Sequence, residues 1–559
     1  MNSSIHPFNN LLQQLEKNRN VIFISLLLIF NFVIRALFLG SNPLDLDEPY
    51  SVFFAQMNIG ELIKAMREGN NPPFYEIMLH FWMRIAGSSA FSVRFPSLVF
   101  SVINVWFVYR IAMRFLNTRT AVVATLLISF SANHLYFSHE ARVYALFMML
   151  TTMSFYYFFL VLDNKTTIKN LIFLFLIYTV LAYSHYFAIL IILLQGTIVL
   201  SMQSVTKKTI IRYLVIVAAL ILAYLPNIPV LYSRAFDSVV RGTWVPPADN
   251  LGPMFYVLKV FSNNDRLCML ICLIILWTAT WKFVRNEDQN RVLKNVVLFL
   301  IIPVYFLVSY SIYFDIPFLW HLTSLKPFIY FFSLSILAYF IYTCFRNRTH
   351  IRVPVVLSAW FIIPFCLLFT VSFFVPVFIN RYMLIVLPAF FLVLTISIDY
   401  LFTEKWPFQF VSALVIICFA ATFNPNEHNN RYSDKIAANV SEIKNPGSKI
   451  IISPFSYRLV FALHYCPDCF KDYNNLEKRL QQIDVSIVTD STELSAEYAI
   501  SDHVIFVDAN SKALFPNNGI YEWLEQRYTL ENSTVYRDSS AVFSFRKEIT
   551  PESSLPSLQ

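Results

Sequence analysis

The stretch from Leu171 to Leu200, LIFLFLIYTVLAYSHYFAILIILLQGTIVL, decides the class of fold. It holds no Asp, Glu, Lys or Arg. A helix that crosses a hydrocarbon core of about 30 Å needs roughly 17 to 25 apolar residues, so this run is too long for one span and too apolar for a soluble surface. It must break, and the polar Ser184-His185-Tyr186 is where it can.

On either side of it, apolar runs of spanning length recur from Val21 to about Ala421. Thirteen spans are expected, near 21–39, 92–113, 120–137, 143–162, 168–184, 186–203, 209–231, 266–284, 295–313, 326–345, 353–373, 382–401 and 406–422. The composition agrees: 57% hydrophobic and 14% charged residues, with a mean hydropathy of +0.55, exclude an ordinary soluble chain. The first run follows about twenty polar residues and is of full length, so it is expected to stay as the first helix and not to be cleaved as a signal peptide.

Charge sets the orientation. With a cytoplasmic N-terminus, the inside loops and their edges carry Lys17, Arg19, Arg114, Arg119, Lys165, Lys169, Lys207, Lys208, Arg212, Lys282, Arg285, Arg291, Lys294, Arg346, Arg348, Arg352 and Lys405. The net charge of +8 therefore reads as a topology signal and gives no pointer to nucleic acid. An odd number of spans places the chain after Asn424 outside. Residues 424–559 change character, with β-type runs at Lys449–Ile452 and His503–Val507 and helical patterns near Leu459 and Ile520. The expected architecture is a membrane domain over 1–423 and a small outer α/β domain over 424–559 with a disordered tail after Glu548.

Of seven cysteines, Cys268, Cys272, Cys344, Cys366 and Cys418 lie in or beside apolar spans as packing residues. Cys466-Pro467-Asp468-Cys469 stands in the outer segment, where it can be a disulfide or two thiols.

The first outside loop, about residues 41–91, is long for a connection within a bundle. Its start reads Asn42-Pro43-Leu44-Asp45-Leu46-Asp47-Glu48-Pro49-Tyr50. Phe53, Phe54, Met57, Leu62, Ile63 and Met66 follow at amphipathic helical spacing, then Asn70-Asn71-Pro72-Pro73-Phe74-Tyr75. Three carboxylates within four residues at a membrane edge repel one another and lose solvent, which raises their pKa values. A carboxylate so placed can take a proton from an attacking hydroxyl. The competing reading makes Asp47 the N-cap of the next helix, with Glu48 near its positive end.

Further polar clusters lie on the same side. They are Asn133 to Tyr144, with Glu140 and Arg142; Tyr183 to Tyr186, with His185; and Asn380-Arg381-Tyr382 before the twelfth span. Arg381 sits at an outer boundary where positive-inside bias calls for no cation, and guanidinium suits phosphate because its planar donors bind two oxygens.

Together these residues resemble the GT-C glycosyltransferases, in the branch of protein O-mannosyltransferases and bacterial aminoarabinose transferases acting on lipid A. The resemblance rests on Asp47-Glu48, Asn71-Pro72-Pro73-Phe74-Tyr75, Glu140 to Leu146, Ser184-His185-Tyr186-Phe187, Arg381-Tyr382 and Pro446 to Ile452. Asn71 stands where many relatives have His, and Asn70-Asn71 where the aminoarabinose enzymes have Glu-Lys, so the lipid A sugar is not implied. What the resemblance implies is an inner-membrane enzyme with a periplasmic C-terminus and a polyprenyl-phosphate sugar as donor. The acceptor would be a lipid, polysaccharide or protein hydroxyl, and the transfer inverting. Asp47 would be the base, assisted by Glu48; Arg142 and Arg381 would bind the donor phosphate; Tyr50, Asn71, Glu140, His185 and Tyr382 would bind substrate. No cofactor and no obligatory metal are expected, because the candidate ligands are scattered over separate loops. The rival readings are a transporter or flippase, which would place ionisable groups near the midplane, and a ligase or polymerase of polyprenyl-linked glycans. Arg35, Arg94 and Asp399 lie near span ends, which favours an interfacial enzyme.

Overall fold

A computed structural model describes residues 5–69, 71–163, 166–202, 205–248, 250–284, 353–426, 431–494 and 501–547. The spans expected at 295–313 and 326–345, Cys344, the basic residues Lys165, Arg285, Arg291, Lys294, Arg346, Arg348 and Arg352, and the tail after Glu548 lie outside the described residues.

The chain forms two compact units that do not follow chain order. One comprises Met1–Leu39, Met66–Tyr75 and Arg94–Glu427; the other comprises Gly40–Ala65, Glu76–Val93 and His428–Gln559. Most of the first outside loop thus belongs with the C-terminal segment, whereas the chain-order division put it with the spans.

The larger unit is helical. Its elements are α1 (Ile5–Ala36), then, after the loop helices α2 (Glu48–Gln56), α3 (Ile59–Met66) and α4 (Phe74–Ala86), a series through α5 (Ala90–Phe115), α6 (Thr118–Ser129), α7 (Ala132–Ser138), α8 (Tyr144–Leu162), α9 (Ile168–Ala182) and α10 (Ala188–Ser201). It continues with α11 (Lys207–Tyr224), α12 (Ile228–Val240), α13 (Gly252–Phe261), α14 (Asp265–Val284), α15 (Val353–Val371), α16 (Asn380–Met383), α17 (Leu387–Leu401) and α18 (Lys405–Ala421). Six helices among the described residues are long and apolar enough to span a membrane, or up to eight if the α6–α7 and α13–α14 bent pairs each count as one; α9, α10 and α18 are shorter apolar helices. This is a multi-pass membrane protein. The expected third span is the α6–α7 pair, bent by 60°, and the break between Ala182 and Ala188 falls at the Ser184-His185-Tyr186 turn.

Local chemistry explains the helix starts. Asn117, Ser131, Thr167 and Thr206 each accept a hydrogen bond from the third residue onward, capping α6, α7, α9 and α11. Environment explains their faces. α8 is buried along nearly its whole length, apolar all round, and Phe155 on it stacks on Trp360 at 3.9 Å between ring centroids. α11 and α12 instead expose Ile211, Val215, Leu222 and Val239, as lipid-facing helices do.

In the smaller unit the amphipathic run does not form one helix face. It breaks at Met57-Asn58, where the Asn58 carboxamide oxygen accepts from the Glu61 amide at 3.0 Å; Phe53, Met57 and Leu62 are buried and Ile63 is exposed. The C-terminal part contains α19 (Ser433–Ile443), β1 (Lys449–Ser453), α20 (Arg458–Tyr465), α21 (Pro467–Lys471), α22 (Leu476–Gln482), β2 (Val485–Ile487), β3 (His503–Asp508), α23 (Ser511–Leu514), α24 (Ile520–Glu525), β4 (Thr529–Val535) and β5 (Ala541–Arg546). The sheet order is β2-β1-β3-β5-β4, with β1 parallel to both neighbours and β5 antiparallel to β3 and β4. Ile450, Ile451 and Ile452 are all fully buried, the continuous apolar run that a central parallel strand requires. Ile451, Val504, Phe506, Ile520, Leu524 and Phe545 share one core. Cys466 and Cys469 form a disulfide around the start of α21.

Candidate functional site

The candidate residues fall into two groups, one in each unit. In the smaller unit, Leu44 to Tyr50 leads into α2. Glu48 is fully buried and forms an ion pair with the buried Arg431; its carboxylate also accepts from the Asp45 amide at 3.4 Å. A charge in such surroundings is retained only when paired, so Glu48 and Arg431 fasten the loop to the C-terminal segment. His464 Nε2–H donates to the Leu44 carbonyl at 2.8 Å and reinforces the same join. Asp47 occupies the N-cap position of α2 and its side chain makes no capping bond. The capping explanation of this residue is therefore not realised. Tyr50 is engaged locally: its hydroxyl donates to the Ser456 carbonyl at 2.7 Å and accepts from Arg458 at 3.2 Å.

The expected rise in carboxylate pKa is found at Asp45. Burial pushes it up, opposed by the Leu46 amide, by the Arg431 charge, by Ser433 and by His464. Asp45 is one of the three carboxylates singled out in the sequence, whereas Arg431 was not a candidate, since a lone Arg at the start of a polar segment carries no signal of a partner 383 residues away.

In the larger unit, the turn between α9 and α10 is the meeting point. The Phe74 amide donates to the Tyr183 carbonyl at 3.1 Å, so Asn71-Pro72-Pro73-Phe74 is tied to the turn that carries His185. Asn71 is buried, and its Oδ1 has no hydrogen-bond partner among the described residues. His185 stacks on Phe147 at 4.4 Å and lies 5.3 Å from the Tyr382 ring. The Phe187 amide donates to His185 Nδ1 at 3.2 Å. In the neutral ring the proton is then on Nε2, a buried donor with no hydrogen-bond partner among the described residues.

Arg381 completes this group. Its guanidinium lies 4.5 Å from the Trp244 ring centroid and 5.8 Å from that of Tyr144, and it donates to the Tyr144 hydroxyl at 3.5 Å. Tyr144 and Tyr382 are 6.4 Å apart, so α8, the α9–α10 turn, the Trp244 loop and α16 converge. The negative faces of aromatic rings attract a guanidinium, and its planar fork of donors suits oxygen ligands. The Arg142 amide donates to the Glu140 carbonyl at 2.8 Å, closing the turn before α8; Glu140 is buried and Arg142 half-buried. The preceding segment is anchored by α1, because Arg35, fully buried, donates to His134 Nδ1 at 2.7 Å and to Asn31 Oδ1 at 2.6 Å, while His139 Nε2–H donates to the Arg35 carbonyl at 2.7 Å.

Sequence reasoning missed Trp244 and Phe147, and placed Tyr144 in the Asn133 to Tyr144 cluster without giving it a role. Phe147 is an ordinary apolar-span residue by type, and Trp244 stands 137 residues before Arg381. Among the described residues no three His, Cys, Asp or Glu side chains are grouped to share a metal ion.

Residues 70–230 match the family model of dolichyl-phosphate-mannose-protein mannosyltransferase. The fold is similar to the oligosaccharyltransferase AglB from Archaeoglobus fulgidus, solved with an inhibitory peptide and a dolichol-phosphate, at 14% identity and a TM-score of 0.45, covering 93% of this chain and 74% of that one. It is also similar to ArnT from Cupriavidus metallidurans, at 11% identity and 0.43 for the apo state, over 94% and 98%, and at 10% and 0.41 for the state bound to undecaprenyl phosphate, over 93% and 98%. No curated protein sequence matches the chain.

Proposed function

We propose that this protein transfers a sugar from a polyprenyl-phosphate-linked donor to an acceptor hydroxyl on the outer face of an inner membrane, with thirteen spans and a periplasmic C-terminus. The observation that carries the reading is the aromatic-walled basic cluster around Arg381 and His185, on whose ring the Arg142 charge also acts. A lipid phosphate keeps its tail in hydrocarbon and its charge at the surface, so it needs cations and N–H donors on a membrane-embedded scaffold. Arg381 supplies paired donors, and His185 Nε2–H is a buried donor that an anionic oxygen would satisfy.

In the step, the acceptor O–H gives its proton to the Asp47 carboxylate as its oxygen bonds to the anomeric carbon. The bond from that carbon to the phosphate oxygen breaks, and its electron pair leaves on the polyprenyl phosphate. Attack opposite the leaving group inverts the configuration. Arg142 and Arg381 stabilise the charge that builds on the departing phosphate. Glu48 acts as a positioning residue through its pair with Arg431. Tyr50, Asn71, Glu140 and Tyr382 complete the donor and acceptor surfaces.

The test uses protein reconstituted in nanodiscs with a polyprenyl-phosphate sugar. Asp47→Asn is expected to lower transfer by about 10²- to 10⁴-fold while donor binding persists. Near-parental transfer by that variant removes Asp47 as the base, and absence of donor binding by the parental protein removes the reading as a whole.

A further inference from the structure

A cavity lies wholly within the smaller unit, between α2, α4 and the α20–α21 corner, with a volume of about 530 Å³. That is within the range of small organic ligand sites, roughly 300–1,000 Å³. His80 forms part of its wall and is only 2% exposed. Its Nδ1 lies 2.9 Å from the Ala55 carbonyl, which can only accept, so Nδ1 carries a proton and in the neutral ring Nε2 presents a lone pair. That Nε2 is buried and has no hydrogen-bond partner among the described residues. A buried acceptor without a donor is costly, and a ligand O–H or N–H would satisfy it.

The same cavity is lined by two cations, Arg84 and Lys471. Arg84 forms no ion pair among the described residues, and Lys471 meets Asp468 only at 3.5 Å between exposed side chains, a contact of little strength. Pro467 and Phe470 add an apolar wall, and Phe470 is held by the Phe53 ring at 5.5 Å. The Cys466–Cys469 disulfide closes the α21 turn that carries these residues, so the wall is preformed.

We infer that this cavity binds a hydroxyl-bearing organic anion, a sugar carrying a phosphate or carboxylate, or a lipid headgroup of the same chemistry. A ligand hydroxyl donates to His80 Nε2, the anionic group meets Arg84 and Lys471, and the C–H face of the ring lies on Phe470. The site lies outside the Arg381 cluster and does not depend on the transfer reading, because its test measures binding alone.

The full-length protein in phosphatidylcholine nanodiscs is titrated with glucose 6-phosphate, with glucose as the neutral control. Saturable binding of the phosphate and much weaker binding of glucose are expected. Arg84→Ala and Lys471→Ala change exposed side chains and leave folding intact; each should weaken binding about tenfold, the loss of one charge-assisted hydrogen bond. His80→Asn keeps an N–H for the Ala55 carbonyl, deletes the Nε2 acceptor, and should weaken binding similarly. Replacing the lipid by phosphatidylglycerol identifies the source: a loss of apparent affinity for glucose 6-phosphate means that the headgroup occupies the site, and unchanged affinity means that the ligand is a soluble or glycan anion. Equal binding of glucose and glucose 6-phosphate, no saturable binding, or affinities unchanged in the Arg84 and Lys471 variants would overturn the inference.

Discussion

Replacing Glu48 by Gln is expected to loosen the smaller unit without touching its hydrophobic core. Glu48 is fully buried and the Arg431 side chain is 5% exposed, so the variant leaves a guanidinium out of water with its carboxylate gone. Removing one member of a buried pair costs about 3–5 kcal/mol, a large share of the ~5–15 kcal/mol that holds a typical domain together. Arg431→Met should cost as much for the mirrored reason. Exchanging both, Glu48→Leu with Arg431→Met, removes both desolvated charges and should recover most of the loss. With two units, a single melting temperature does not isolate this one. Amide hydrogen exchange in Ile450–Ile452 and Val504–Val507, the buried strands of its sheet, reads its opening directly. At about 1.4 kcal/mol per factor of ten, protection there should fall by roughly two to three and a half orders of magnitude in either single variant and return in the double. Sugar transfer should follow the same pattern if Glu48 only positions the loop. Single variants with protection within tenfold of the parent would refute the structural role of the pair, and a double variant that regains protection but not transfer would show that the Glu48 carboxylate itself takes part in the reaction.

Arg381→Ala should weaken polyprenyl-phosphate binding by tenfold or more, and Arg381→Lys should restore it only partly because an ammonium cannot reproduce the paired planar donors; donor titration of the two variants checks this. Asp45 is held above the ordinary carboxylate range by burial, so the folded state retains a proton that the unfolded chain loses near pH 4. Its contribution to stability is therefore complete below about pH 4 and is lost as pH rises through the folded value; amide-exchange protection of Ile450–Ile452 in Asp45→Asn relative to the parent should increase from pH 4 to pH 7, and a flat ratio would contradict the assignment. A reporter active only in the cytoplasm, fused after Gln559, should be silent if the C-terminus is periplasmic; a bright signal would reverse the orientation.

What could be read from the sequence is what neighbours along the chain decide. A thirty-residue apolar run must break at its polar centre because the bilayer has a fixed thickness, and the chain does break between Ala182 and Ala188. Lys449–Ile452 and His503–Val507 are β-rich runs bounded by turn residues, and both are strands. Asp47-Glu48, His185 and Arg381 stood out because charge at an apolar boundary is costly wherever the rest of the chain goes. Tertiary structure decided the partners. Glu48 meets Arg431, Arg381 meets Trp244 and Tyr144, and His80 meets the wall of a cavity closed by α21, each across a separation that no local pattern encodes. The amphipathic stretch of the first loop shows the same limit in miniature: its spacing allowed one face, but the first helix ends at Gln56 with Met57 as its cap and Asn58 begins the next, leaving Ile63 exposed. Hydropathy and periodicity are sums over adjacent residues, whereas an ion pair or a cavity depends on which distant segments share a core, and that is set only when the whole chain packs.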